Sequence, residues 1–184
     1  MRVKNIIVVL LFAFVAACSS PEDKITNTVL EYFHAESNED YYGTAKLTNP
    51  HQMEKLKNGV LPLFIKAKSS SKHEFQHIAS QFFDGVAHDK QSTLNKVEVY
   101  ARLMRVMNRY KRKYIAFIQT ASVEIKNINK MPQELAEVEV ILTNDDTTVP
   151  ITIQLELIEG NWYIQMASSP EETINKFKTL FDES

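Results

Sequence analysis

The sequence predicts an α+β fold: N-terminal helices packed on a curved antiparallel sheet of about four strands, with a C-terminal helix. Three observations predict it. Residues 122–166 alternate apolar and polar side chains in four short runs, the period of half-buried strands. The segments before them repeat apolar residues at helical spacing behind N-cap signals. After them, Ser169-Pro170-Glu171-Glu172 caps a last amphipathic segment bearing Ile174, Phe177 and Phe181. A meander of this kind buries one face only when helices cover it, so the helical segments are expected to lie on the sheet.

In chain order, Arg2 and Lys4 precede an apolar run over residues 6–17, which falls short of the roughly 20 residues a membrane span needs. Ser20-Pro21-Glu22-Asp23 supplies an N-cap, a proline at the first helical position and acids in the first turn. Ile25, Val29, Tyr32 and Phe33 follow at helical spacing. Asn49-Pro50-His51-Gln52 opens another helix with Met53, Leu56 and Val60 on one side. Gly59 and Pro62 predict a break there, with Leu63, Phe64 and Ile65 as a second piece. A third helix starts near His73, carries Phe75, Ile78, Ala79, Phe82 and Phe83, and ends at Asp84-Gly85. Asn95 and Glu98 read as a capping box for a longer helix. Its two stripes, Val97, Tyr100, Ala101, Met104 and Val99, Leu103, Val106, Tyr110, predict a wide buried face and make it the expected central cover of the sheet.

Among the strands, Val123 and Ile125 share one face, then Val138, Val140 and Leu142 oppose Glu137 and Glu139. Residues 144–147 form a polar loop. Val149, Ile151, Ile153, Leu155 and Leu157 line one face of the next strand, where Pro150 marks a beginning or an edge. Gly160-Asn161 makes a tight turn, and Trp162, Ile164 and Met166 return on one face.

Val15-Ala16-Ala17-Cys18 resembles the lipobox of bacterial lipoproteins. The resemblance implies cleavage before Cys18 and acylation there, an anchor in which each buried methylene contributes about 0.8 kcal/mol. Ser19, rather than Asp, follows, which in that resemblance implies the outer membrane with the domain facing the periplasm. The expected division is a signal peptide over 1–17, a lipidated anchor and short tether over 18–24, and a single cone-like α+β domain over 25–184. Helices followed by a meander, the opening Val29-Leu-Glu-Tyr-Phe-His-Ala35 with Asn38-Glu-Asp-Tyr-Tyr42, and the Gly160-Asn-Trp-Tyr-Ile164 turn resemble the nuclear transport factor 2-like superfamily. That resemblance implies a cone-shaped domain with a strongly curved sheet. The superfamily's enzymes place an Asp, His or Tyr inside the cone for proton transfer.

Composition narrows the function classes. The formal net charge is −2, and loss of a leader with Arg2 and Lys4 takes it to about −4, which argues against a nucleic-acid partner. Four glycines leave no phosphate-cradling loop, and the one cysteine excludes both an intramolecular disulfide and a Cys-based metal site. No cofactor is expected.

Four sets of residues are candidate sites. His73-Glu74-x-x-His77 is a literal HExxH, in which two histidines ligate zinc and the glutamate acts as base. Against that, the apolar set around Phe75 lies opposite both histidines at 100° per residue, and no third histidine follows at the expected spacing. Arg102, Arg105, Arg109 and Arg112 recur along one stripe. They read as a solvated face, with Glu98 pairing Arg102, or as contacts to an anionic surface. The inward strand positions Val138, Val140, Leu142, Ile151, Ile153, Leu155 and Leu157 are all aliphatic, so a base there would have to come from a helix, such as His34 or Asp40. The opposite face, with Glu137, Glu139, Thr152, Gln154 and Glu156, meets a partner or water.

The expectation is therefore a non-catalytic accessory or binding module of the cell envelope, membrane-bound through Cys18, with an envelope protein as its partner. One rival is a carrier of a small apolar molecule in the cone interior. The other is a zinc-dependent hydrolase through His73, Glu74 and His77.

Overall fold

The structure, a computed structural model, describes residues 20–145 and 147–182. The expectations for residues 1–17, for Cys18 and for Ser19 lie outside them. Among the described residues no helix is long and apolar enough to cross a membrane.

Helix α1 (Pro21–Ser37) opens as its sequence dictates. The Asp23 amide donates to Ser20 Oγ at 3.1 Å and the Ser20 amide to Asp23 Oδ2 at 2.9 Å, a reciprocal capping box. The chain turns at Glu39, whose φ is +54°, into the short α2 (Tyr41–Leu47), an element the spacing had not marked.

Helix α3 (Pro50–Lys68) corrects the predicted break, because it runs through both Gly59 and Pro62. Pro62 is exposed, and so is Asn58, whose carbonyl the proline leaves without its helical donor; solvent can take that donor's place. Gly59 serves a close approach: a Cβ there would lie 2.3 Å from Cδ1 of Ile174 on the C-terminal helix. Next come α4 (His73–Phe82), a 3-10 turn (His88–Thr93) and α5 (Lys96–Tyr110). Both halves of the Asn95–Glu98 capping box form, at 2.9 and 3.0 Å. A further unanticipated helix, α6 (Arg112–Thr120), starts directly after Lys111.

The sheet is an open antiparallel meander, β1 (Ser122–Met131), β2 (Leu135–Asn144), β3 (Thr147–Ile158) and β4 (Asn161–Ile164), in the order β1-β2-β3-β4. Val138 faces Ile153 and Leu155 faces Ile164 in register. A bulge between Ile125 and Asn127 bends β1. Glu159 and Gly160 are both left-handed, which matches the two-residue turn that twists with its strands. Pro150 sits in the half of β3 that β4 does not reach. β4 stops short of Met166, whose amide instead donates to Gln52 Oε1 at 2.7 Å. Helix α7 (Pro170–Asp182) then closes the chain, with the Glu172 amide on Ser169 Oγ.

The apolar residues gather in two clusters. Ile25, Val29 and Phe33 of α1 and Ile118 of α6 cover the inner sheet face at Ala136, Val138, Val140, Leu142, Leu155, Trp162 and Ile164. The other cluster is all-helical and centres on Leu56, Val60, Phe64, Phe82, Val99 and Leu103 from α3, α4 and α5, with Phe181 of α7. Phe64 stacks on Phe82 with centroids 4.2 Å apart. The expectation that every helix covers the sheet is corrected: α5 belongs to the helical layer, and α1 and α6 do the covering. Tyr110, placed on a buried stripe by its spacing, is 68% exposed because α5 ends there.

Candidate functional site

The C-terminal half of α1 contributes the one charged side chain that is buried among the described residues, Glu36, at 6% exposure. Tyr32, one turn earlier on the same face, donates its hydroxyl to Glu36 Oε1 at 3.1 Å. Tyr114, from the first turn of α6, donates to Oε2 at 3.4 Å. Tyr100 of α5 borders the same space. Burial pushes the Glu36 carboxyl above its ordinary value, against the opposing pull of both phenols and of Lys111. Burial also pushes Tyr100 up to about 12 and Tyr32 well above its usual range, so the phenols stay protonated donors at neutral pH.

This cluster lies in the wall of a cavity of about 770 Å³ between α5 and α7. Leu103, Met104 and Met107 of α5 form one side, and Thr173, Phe177 and Leu180 of α7 the other. Both sets follow helical spacing, so each helix turns one stripe to the space. Leu56 of α3 and Met166 beyond β4 also line it, and the exposed Lys111 and Lys176 stand at its rim. Tyr32, Tyr114 and Met166 also border a second space of about 490 Å³, which continues onto the sheet at Ile151 and Ile153. A size of several hundred Å³, mostly apolar walls and a few converging polar groups are the usual attributes of a small-molecule site.

The residues singled out in the sequence are distributed differently. His73, Glu74 and His77 are all exposed on α4, opposite the buried Phe75, Ile78, Ala79 and Phe82. His77 Nε2 lies 2.7 Å from Gln81 Nε2. No group of three or more His, Cys, Asp or Glu able to hold a metal ion stands together among the described residues.

The arginine stripe is divided. Arg102 donates to the Phe82 and Asp84 carbonyls at 3.2 and 2.8 Å, and Arg105 donates to that of Gln81 at 3.1 Å. Arg109 and Arg112 are exposed and stand on two different helices. Glu98 is committed to its capping box.

Of the helix bases considered, His34 is exposed, and Asp40 caps α2 by accepting from the Gly43 amide at 2.9 Å. The carboxylate that does line the cavity is Glu36, which no motif in the sequence marks; its one local signal is Tyr32 at i−4. Val138, Val140, Leu142 and Leu155 are buried as expected, while Ile151, Ile153 and Leu157 are partly so. On the opposite face, Glu156 accepts from Asn49 Nδ2 at 2.6 Å, and Glu139, Thr152 and Gln154 are exposed.

Comparison of the chain with protein-family models, curated proteins and solved structures found no significant match in any of the three.

Proposed function

We propose that this chain is a binding module of the cell envelope that holds a small, largely apolar molecule between α5 and α7. In this reading it is tethered through a lipidated Cys18 to the outer membrane and faces the periplasm. The domain is then a nuclear transport factor 2-like cone, supported by its helices-then-meander order and its open four-stranded sheet. One observation carries the choice of a carrier over a module that meets only other proteins. It is the 770 Å³ space with walls of Leu, Met and Phe beside a single buried acid. Unbranched methionines at 104, 107 and 166 suit a binding wall, because the thioether chain repacks around differently shaped occupants. Zinc hydrolysis draws no support from His73, Glu74 and His77, which lie exposed on α4 and belong to no group able to hold a metal ion among the described residues.

The test is extraction of the protein purified from native envelopes, followed by mass spectrometry of whatever accompanies it. A small molecule should copurify near one per chain and should be lost when Met104→Trp fills the wall. Recovery of equal amounts from both proteins, or of none from either, would reject the carrier. Crosslinking in the envelope that captured only a protein would return the reading to an accessory module.

A further inference from the structure

We infer that the molecule held in this cavity carries an ammonium group, seated against Glu36 among Tyr32, Tyr100 and Tyr114. The inference rests on the reading of the cavity as a ligand site and adds the sign of the ligand's charge.

Charge accounting comes first. A buried carboxylate in a protein is ordinarily paired with a cation, because desolvation otherwise makes its charged form costly. Glu36 is 6% exposed, yet none of the ion pairs among the described residues includes it. Its partners are two phenols, at 3.1 and 3.4 Å. The cation that acts on it, Lys111, sits exposed at the rim. Every other long cationic side chain bordering the space, here Lys176 of α7, is solvated as well. The pocket therefore holds an acid whose counter-charge the chain does not bring inside.

Hydrogen-bond polarity gives the same sign. Tyr32 and Tyr114 spend their hydroxyl protons on Glu36, so the valences left on those three groups are lone pairs. A cluster offering lone pairs and negative charge accepts donors and repels anions. Aromatic rings bordering the acid add attraction for a cation wherever their π-faces meet it. The remaining wall, with Leu103, Met104, Met107 and Phe177, suits an apolar body attached to that head.

Three matched aromatic probes separate the parts of this proposal: phenylpropylammonium, the neutral phenylpropanol and the anionic phenylpropanoate. Binding to the full-length protein in lipid nanodiscs would be followed by ligand-observed NMR, with empty nanodiscs as the blank. The ammonium should bind roughly tenfold or more tightly than the alcohol, and the carboxylate weakest. Glu36→Gln should bring the ammonium and the alcohol together.

The wild-type protein carries a second measurement should that variant fold poorly. The preference for ammonium should fade as acid protonates Glu36, since the amine stays charged throughout that range. Of the other groups facing Glu36, burial raises Tyr32, Tyr41, Tyr100 and Tyr114 further above that range, and Lys111 and Lys176 stand exposed at the rim. An ammonium that bound no better than an alcohol that does bind would overturn the charge assignment and leave the cavity reading intact. Absence of binding by all three probes would overturn both.

Discussion

At the scale of single residues, Glu36 is where the fold departs from the rule that keeps charge at the surface. Its folded carboxyl titrates above the unfolded value of 4.5, chiefly through desolvation. Between those two values the folded protein binds more protons than the unfolded chain, so stability falls as pH rises through that window. Beyond the folded value the loss levels off. Glutamine keeps the shape and an oxygen for one phenol but has no charge to bury. Glu36→Gln is therefore expected to be more stable than the parent at about pH 8, with the two converging near the unfolded value at about pH 4. Urea midpoints across that range measure it. A variant weakened equally at both ends would mean that the phenol contacts outweigh the buried charge.

Elements show how much of this architecture is written locally. Ser20, Asn49, Asn95 and Ser169 each accept a backbone amide within three residues, so four helix starts were readable from residue order. The ends were harder. No glycine or proline marks the junction at Lys111, and the boundary between α5 and α6 stayed hidden in an apparently continuous arginine stripe. Glu36 was illegible for a different reason: Tyr114 is 78 residues away, and a pocket exists only once α1, α5, α6 and α7 are assembled. The arginines illustrate the same limit. Helix α4 has no side-chain cap at Lys72, but its C-terminal carbonyls receive the guanidiniums of Arg102 and Arg105. Cations there also oppose the helix dipole. Arg102→Ala should cost about 2 kcal/mol and Arg105→Ala about 1 kcal/mol, the smaller because its partner Asp84 is largely exposed. Both arginines leave a buried Nε without a partner, which holds these values down. Arg109→Ala and Arg112→Ala should stay within about 0.5 kcal/mol. Urea denaturation of the four variants checks the order, and four equal values would mean that the carbonyl contacts contribute nothing.

The molecule as a whole gathers its apolar side chains into two separate clusters, so what couples them matters as much as either alone. Asn49 stands at that junction, 1% exposed. Its Oδ1 accepts from the His51 and Gln52 amides and so starts α3, the spine of the helical cluster. Its Nδ2 donates to Glu156 on β3, and its amide donates to the Ile164 carbonyl on β4 at 2.8 Å. Neighbouring Gln52 takes the Met166 amide, so the chain leaving the sheet is held against the same helix start. Alanine at 49 keeps the backbone bond and removes the cap and the link to Glu156, leaving that carboxylate without its amide donor. The expected loss is about 3 kcal/mol, from a cap worth about 1 and a part-buried charge-assisted hydrogen bond worth about 2. Its form is the sharper prediction. The protein's one tryptophan, Trp162, lies in the sheet cluster, while far-ultraviolet circular dichroism is dominated by the helices. In the parent both signals should change at one urea concentration, as in a single cooperative unit. In Asn49→Ala the tryptophan and helix transitions should separate, because each cluster then loses its structure at its own midpoint. Coincident transitions shifted together to lower urea would show that packing across the boundary, and not this asparagine, unites the two clusters.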